Sequence, residues 1–453
     1  MKTKKQTSTT TKILLGFLYA ILIGSVLLML PISSVDGHCD FLTALFTATT
    51  SVCVTGLVVV PTYSYWTLFG KIIILILIQL GGLGVVALTT AILLILNRRI
   101  SLKDNLMIQD AFGLNNLQNL SHFVKYVIIG TLSIEFIGGC LYMIEFVPKF
   151  GIRGIWYSFF TAISAFCNAG IDILGPDSLM QYQSSPLVLF TSMLMIVSGG
   201  LGFVVWRDFI HVGKLAYSGR IQKRDYFRNL TTHTKIVLIT TLFLIGFGFL
   251  TTFLFEYHNP GTIGSMNIGD KLLNSLFQSV TYRTAGFAAI SQADLTESSA
   301  LTSYFIMLIG GSPVGTAGGI KTMTAAVMVF TVFAVIKGQN ETLVFRKSIH
   351  PDLIRRAISV TMISILMVLI FTILLMVTNN LNMTDSAFEV VSAIATVGLT
   401  RDVTPTLNAF GKICIIICMY LGRIGPISMF IFFGQKASNK NTVHHAQAKI
   451  MVG

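Results

Sequence analysis

Four short segments of the chain end in glycine: "SVCVTG" at Gly56, "AFCNAG" at Gly170, "TYRTAG" at Gly286 and "AIATVG" at Gly398. These glycines lie 114, 116 and 112 residues apart, close to a quarter of the 453-residue chain. Most side chains in the segments offer no acid, base or nucleophile, so their chemistry must come from the main chain. A monovalent cation stripped of water needs replacement oxygens, and a ring of backbone carbonyls can supply them. Pointing successive carbonyls inward takes unusual dihedrals. Glycine permits these and lets neighbouring strands approach closely. The candidate ligands are the backbone oxygens of Val52, Cys53, Val54, Thr55 and Gly56, and of Phe166, Cys167, Asn168, Ala169 and Gly170. The other two quarters contribute Tyr282, Arg283, Thr284, Ala285 and Gly286, then Ile394, Ala395, Thr396, Val397 and Gly398. One such glycine is an ordinary turn residue. Four at near-constant spacing carry the reading.

The elements that must hold these segments are membrane helices. Hydrophobic residues make up 53% of the chain and charged residues 11%, against roughly 25% charged in a soluble domain. Runs near 13–31, 69–96, 123–147, 186–206, 235–256, 303–335, 355–378 and 410–433 approach or exceed the roughly 20 residues that a span needs. The net charge of +13 sits in short segments: "MKTKKQTSTTTK", "NRRISLK", "GRIQKRDYFR", "FRKSIHPDLIRR" and a tail with Lys436, Lys440 and Lys449. That placement orients membrane spans, with basic loops and both termini in the cytoplasm, and argues against a nucleic-acid surface. The six cysteines show no paired CxxC pattern, and Cys414 and Cys418 share one helix face as packing residues.

The period divides the whole chain. Each quarter reads as a span, a short amphipathic stretch, a polar segment closing on glycine, and a second span. Phe46, Phe160 and Phe388 stand ten residues before their glycine, and Phe277 nine before Gly286. Two crossings per quarter make the repeats parallel, around an axis along the membrane normal. Stretches such as "DFLTALFTATT" and "GIWYSFFTAIS" are too apolar for loops and too short to span. A half-helix dipping into the membrane, followed by an extended return, satisfies the rule that irregular backbone at that depth lines a cavity or lies against protein. Its C-terminal, negative dipole end points at the membrane centre and favours a cation there.

The sixth span is broken by "IGGSPVGTAGGIKTM", with five glycines and a proline. A phosphate-binding loop is excluded, because Ile320 separates Gly319 from Lys321 and both flanks are apolar spans. Glycine and proline disfavour helix, so the span opens in mid-membrane. Gly310, Gly311, Ser312, Pro313, Gly315, Thr316, Gly318, Gly319 and Lys321 form a candidate gate below the glycine segments. Arg423 sits near the middle of the last span, where charge faces a cavity or a partner. The alternatives are a positive group beside the path or an ion pair with a buried acid such as Glu135. Arg283 is expected to turn away from the axis toward Glu389, and Asp172 and Asp402 to lie at the outer mouth or on a solvated surface. No HExxH, dinucleotide fingerprint or Ser/His/Asp set is present, which leaves no basis for a membrane enzyme.

Over its full length the chain resembles the Trk/Ktr/HKT superfamily of cation transporters. The resemblance rests on the four repeats, the glycines of "VTG", "NAG", "TAG" and "TVG", and the glycine-rich break. Eight spans without an extra N-terminal pair resemble a Ktr-type membrane subunit. The resemblance implies an all-α fold with four re-entrant pore loops around a pseudo-fourfold pore, and potassium preference, since all four filter positions are glycine. It further implies gating by the intramembrane loop and by Arg423, a homodimer with one pore per chain, and Na+ as an activator. ATP or ADP would act only through a cytoplasmic ring of nucleotide-binding regulatory subunits of the RCK/KTN type found in Ktr systems. A bacterial plasma membrane is implied, and proton- or sodium-coupled symport of the Trk type is the alternative mechanism.

Overall fold

The computed structural model describes residues 9–84 and 120–425. The basic "NRRISLK" segment and the tail lysines lie outside these residues, as do the ends of the runs at 69–96 and 410–433.

Among the described residues, four helices are long and apolar enough to cross a membrane: Thr11–Leu28, Phe123–Phe150, Thr232–Glu256 and Pro351–Asn379. They open the four quarters, here called A to D. After each comes a short, largely buried helix: Phe41–Cys53, Arg153–Cys167, Ile268–Thr281 and Met383–Ala395. In A, C and D it starts on a side-chain cap from Asp40, Asn267 or Asn382, which satisfies free N–H groups of its first turn. The aromatic residues Phe46, Phe160, Phe277 and Phe388 are all fully buried. A third helix then begins in each quarter on a hydroxyl or amide cap: Thr67, Ser185, Thr296 and Asn408.

In A, B and D each of the three helices packs on the other two, in C the first packs on both others, and in every quarter the third also packs on the short helix of the next. The order runs A to B, B to C, C to D and D back to A, so the arrangement closes on itself.

The third helix of C is broken as its sequence suggests, but those of A, B and D also end or bend where uninterrupted spans are expected. The described helix of A stops at Leu83, that of D at Ile424, and that of C at Leu308, resuming at Thr322. In B, Pro186–Gly200 and Phe203–Tyr217 meet at 95°. The reason is a motif repeated at the break: Gly81-Gly82-Leu83-Gly84, Gly199-Gly200-Leu201-Gly202, Gly310-Gly311-Ser312-Pro313 and Gly422-Arg423-Ile424-Gly425. The final glycines of A, B and D have φ of +83°, +87° and +91°, where a helix cannot continue. Beyond the helices, a small antiparallel hairpin pairs Leu343 with Ser348 and Val344 with Lys347.

Candidate cation-binding site

The first two residues of the segments in A, B and D, ending at Cys53, Cys167 and Ala395, still belong to the short helix. The extended return therefore starts later than the sequence suggests. Val54, Asn168 and Thr396 cap these helices in the left-handed region, and Thr284 adopts it too, with φ of 54°, 59°, 52° and 67°. In each quarter the residue before the glycine turns its N–H back to the short helix. Thr55 donates to the Thr50 carbonyl (2.9 Å), Ala169 to Ser164 (2.8 Å), Ala285 to Thr281 (3.0 Å) and Val397 to Ser392 (2.7 Å). The glycines follow with φ between +64° and +104°.

These glycines meet. A methyl on Gly56 would come 2.6 Å from the Ala169 carbonyl oxygen, and one on Gly170 would come 2.6 Å from that of Ala285. On Gly286 it would lie 2.7 Å from the Val397 oxygen, and on Gly398 it would overlap that of Thr55. Each glycine thus abuts the carbonyl just before the next glycine, and the cycle closes after four. Only residues without a Cβ can build it.

A second set of glycines holds the short helices from behind. Methyls on Gly81, Gly199 and Gly422 would overlap the carbonyl oxygens of Val52, Phe166 and Ile394. These contacts bring the Cα of one helix against the carbonyl of another. Sequence reasoning missed this set, although residues 81, 199, 310 and 422 repeat at intervals of 118, 111 and 112. In C the matching residue, Gly310, instead faces Gly318 of the broken loop.

That loop folds back directly beneath the ring. Gly310 N–H donates to the Ile320 carbonyl and Ile320 N–H to that of Leu308, both at 3.0 Å. Ser312 and Thr316 donate to the carbonyls of Gly200 (2.9 Å) and Gly199 (3.2 Å). The Thr316 hydroxyl reaches the Phe166 carbonyl at 3.1 Å and Asn168 Oδ1 at 3.2 Å. A methyl on Gly318 would overlap Thr396 Oγ1. The loop therefore touches the glycine segments of B, C and D at once. Lys321 Nζ donates to the Ala317 carbonyl at 2.6 Å.

Arg423 takes the place that Gly82, Gly200 and Gly311 hold in the other quarters. Its guanidinium donates to the carbonyls of Thr316, on the loop, and Gly81, on the third helix of A. The alternative of an ion pair with Glu135 is corrected. Glu135 accepts from Gln79 at 3.2 Å and from the Cys167 thiol at 3.8 Å. The expected Arg283–Glu389 pair is corrected too. Arg283 Nη2 donates to the Gly310 carbonyl at 3.4 Å, whereas Glu389 accepts the hydroxyls of Thr400 (2.8 Å) and Thr404. Both carboxylates find neutral donors, and two carbonyls hold Arg423, whereas the Arg283 side chain makes this one bond and its Nε is buried without a partner among the described residues. Asp172, half-buried, accepts the Leu174 N–H at 3.3 Å, and Asp402 is exposed. Among the described residues no three His, Cys, Asp or Glu side chains gather as a metal site.

Comparison with known proteins gives a consistent result. The TrkH family, described as cation transport protein, matches residues 3–444. The Ktr system potassium uptake protein B of Bacillus subtilis is 38% identical over 440 residues, covering 97% of this chain and 95% of that one. The potassium/sodium uptake protein NtpJ of Enterococcus hirae is 35% identical over 460 residues, covering 100% and 99%. Among solved structures, the potassium transporter TrkH of Vibrio parahaemolyticus matches with a TM-score of 0.74 at 16% identity, over 96% of this chain and 87% of that one. That likeness establishes a shared fold.

Proposed function

We propose that this chain, which belongs to the TrkH family of cation transport proteins, is the pore subunit of a Ktr-like potassium-uptake system. The observation that carries the reading is the closed cycle in which each of four glycines abuts the carbonyl before the next. Four repeats, at 1–112, 113–230, 231–345 and 346–453, surround one path. Their short helices aim C-terminal carbonyls toward it, and main-chain oxygens replace the water of a dehydrated K+. The segment 309–321 closes the path beneath, and Arg423 latches it while placing positive charge where a cation would pass.

The names of relatives support the wider assembly. A protein named for a Ktr system supports a partner ring of RCK/KTN type that carries the ATP or ADP response. It would act on a homodimeric membrane subunit with cytoplasmic termini in a bacterial plasma membrane. The relative named as a potassium/sodium uptake protein supports a role for Na+ beside K+. The test is growth of potassium-uptake-deficient cells at limiting K+. The wild type should restore growth, and Gly56→Ser should lower K+ preference over Na+. Unchanged growth and preference in the variant would overturn the assignment.

A further inference from the structure

Serine and threonine hydroxyls inside apolar helices ordinarily bond the carbonyl four residues back. Thr47, Thr49, Ser51 and Ser158 do so in the short helices, at 2.6–2.8 Å. Thr50, Ser164, Thr281 and Ser392, all fully buried, are among those that do not. They are the residues whose carbonyls accept the N–H just before each glycine, so they occupy one structural position. Their hydroxyls reach forward, past the turn, to the glycine step itself. Thr50 Oγ1 accepts the Gly56 N–H at 3.0 Å, and Ser392 Oγ accepts that of Gly398 at 3.1 Å. Ser164 Oγ donates to the Ile171 carbonyl and Thr281 Oγ1 to the Phe287 carbonyl, both at 2.6 Å.

We propose that these four hydroxyls are specificity-determining positioning residues, an inference that rests on the filter reading above. In A and D they anchor the glycine N–H. In B and C they draw the carbonyl after the glycine back toward the short helix. The ring beyond the glycines is then two-sided, with the Leu57 and Leu399 carbonyls free of such a hold on the adjacent pair A and D. A cation leaving water at this end meets fewer oxygens than a complete ring would give. Discrimination rests on the ring at the glycines, whose width the hydroxyls fix.

The test uses the full-length chain with its regulatory partner in cells lacking other potassium uptake. It compares Thr50→Val, Ser164→Ala, Thr281→Val and Ser392→Ala. The readouts are the Na+ concentration that halves Rb+ uptake, the KM and maximal rate for Rb+, and the amount of protein in the membrane. Each variant should lose about fivefold in preference over Na+, as expected for one buried hydrogen bond at a coordinating backbone. Thr50→Ser and Thr281→Ser, which keep the hydroxyl, should restore it. A merely structural role would lower protein amount and maximal rate while leaving preference intact. Ser392→Ala removes a single oxygen and keeps the test open should a valine variant fail to accumulate. Wild-type preference in all transporting variants overturns the proposal. If Gly56→Ser shifts preference and they do not, only this inference falls; if Gly56→Ser has no effect either, the filter reading falls with it.

Discussion

The glycine ring and the layer directly beneath it are built by the same four quarters to opposite ends. In the ring, every quarter offers the same contact: a glycine against its neighbour's carbonyl. Beneath it, the break motif is Gly-Gly-Leu-Gly in A and B, but Gly-Gly-Ser-Pro in C and Gly-Arg-Ile-Gly in D. The two departures find each other, because Arg423 of D holds Thr316 on the loop that Pro313 of C helps to open. Coordinating an ion on an axis calls for equivalence among the quarters. Closing a path calls for one quarter to differ and another to hold it. On the proposed function, the symmetric layer selects and the asymmetric one controls.

Breaking the ring should have the largest effect. Gly398→Ala forces a methyl into the Thr55 carbonyl at a φ of +93°, and K+-dependent growth should fall by about a hundredfold. Gly84→Ala is the control. It has a φ of +83° but no described residue within 4 Å of the added methyl, and it should lose at most about tenfold through backbone strain alone. Equal losses would mean that backbone strain, not ring contact, sets the outcome.

Making the lower layer symmetric comes next. Arg423→Gly gives D the glycine of its neighbours and removes two charge-assisted bonds to the loop. Basal Rb+ flux without the regulatory partner should rise about tenfold. Arg423→Lys, which keeps charge but not the two-armed donor, should rise less. A fall in flux in both would show that the arginine supports the path.

The support behind the ring should read out as stability. Gly81→Ala and Gly422→Ala drive methyls into the Val52 and Ile394 carbonyls and should cost about 2 kcal/mol each, lowering the melting temperature in detergent. Gly130→Ala, with no described residue within 4 Å of the added methyl, should lower it not at all. The smallest effect belongs to Glu135→Gln. Its amide can still bond Gln79 and Cys167, so transport should stay within about twofold. Glu135→Leu, which leaves Gln79 without that acceptor, should reduce it further.

Much of this was legible because repetition survives in glycine and phenylalanine. Spacing alone located Gly56, Gly170, Gly286 and Gly398, and the aromatic residues ahead of them are buried as a shared pattern requires. The break in B was not legible, since Gly199 to Gly202 is embedded in an apolar run with no proline to mark it. The partners of Arg423 and Arg283 were hidden for a different reason. They are carbonyls, which every residue has, so no residue type signals them and the eye goes to an acid instead. The same limit hid Thr50 and Ser392, one hydroxyl each among many in polar-flecked helices.

The most direct test is anomalous scattering from Rb+ in crystals of the full-length protein. The account predicts a peak on the axis among Gly56, Gly170, Gly286 and Gly398, absent from Gly398→Ala crystals. Rb+ bound elsewhere in a transport-competent protein, with nothing among those four glycines, would contradict it.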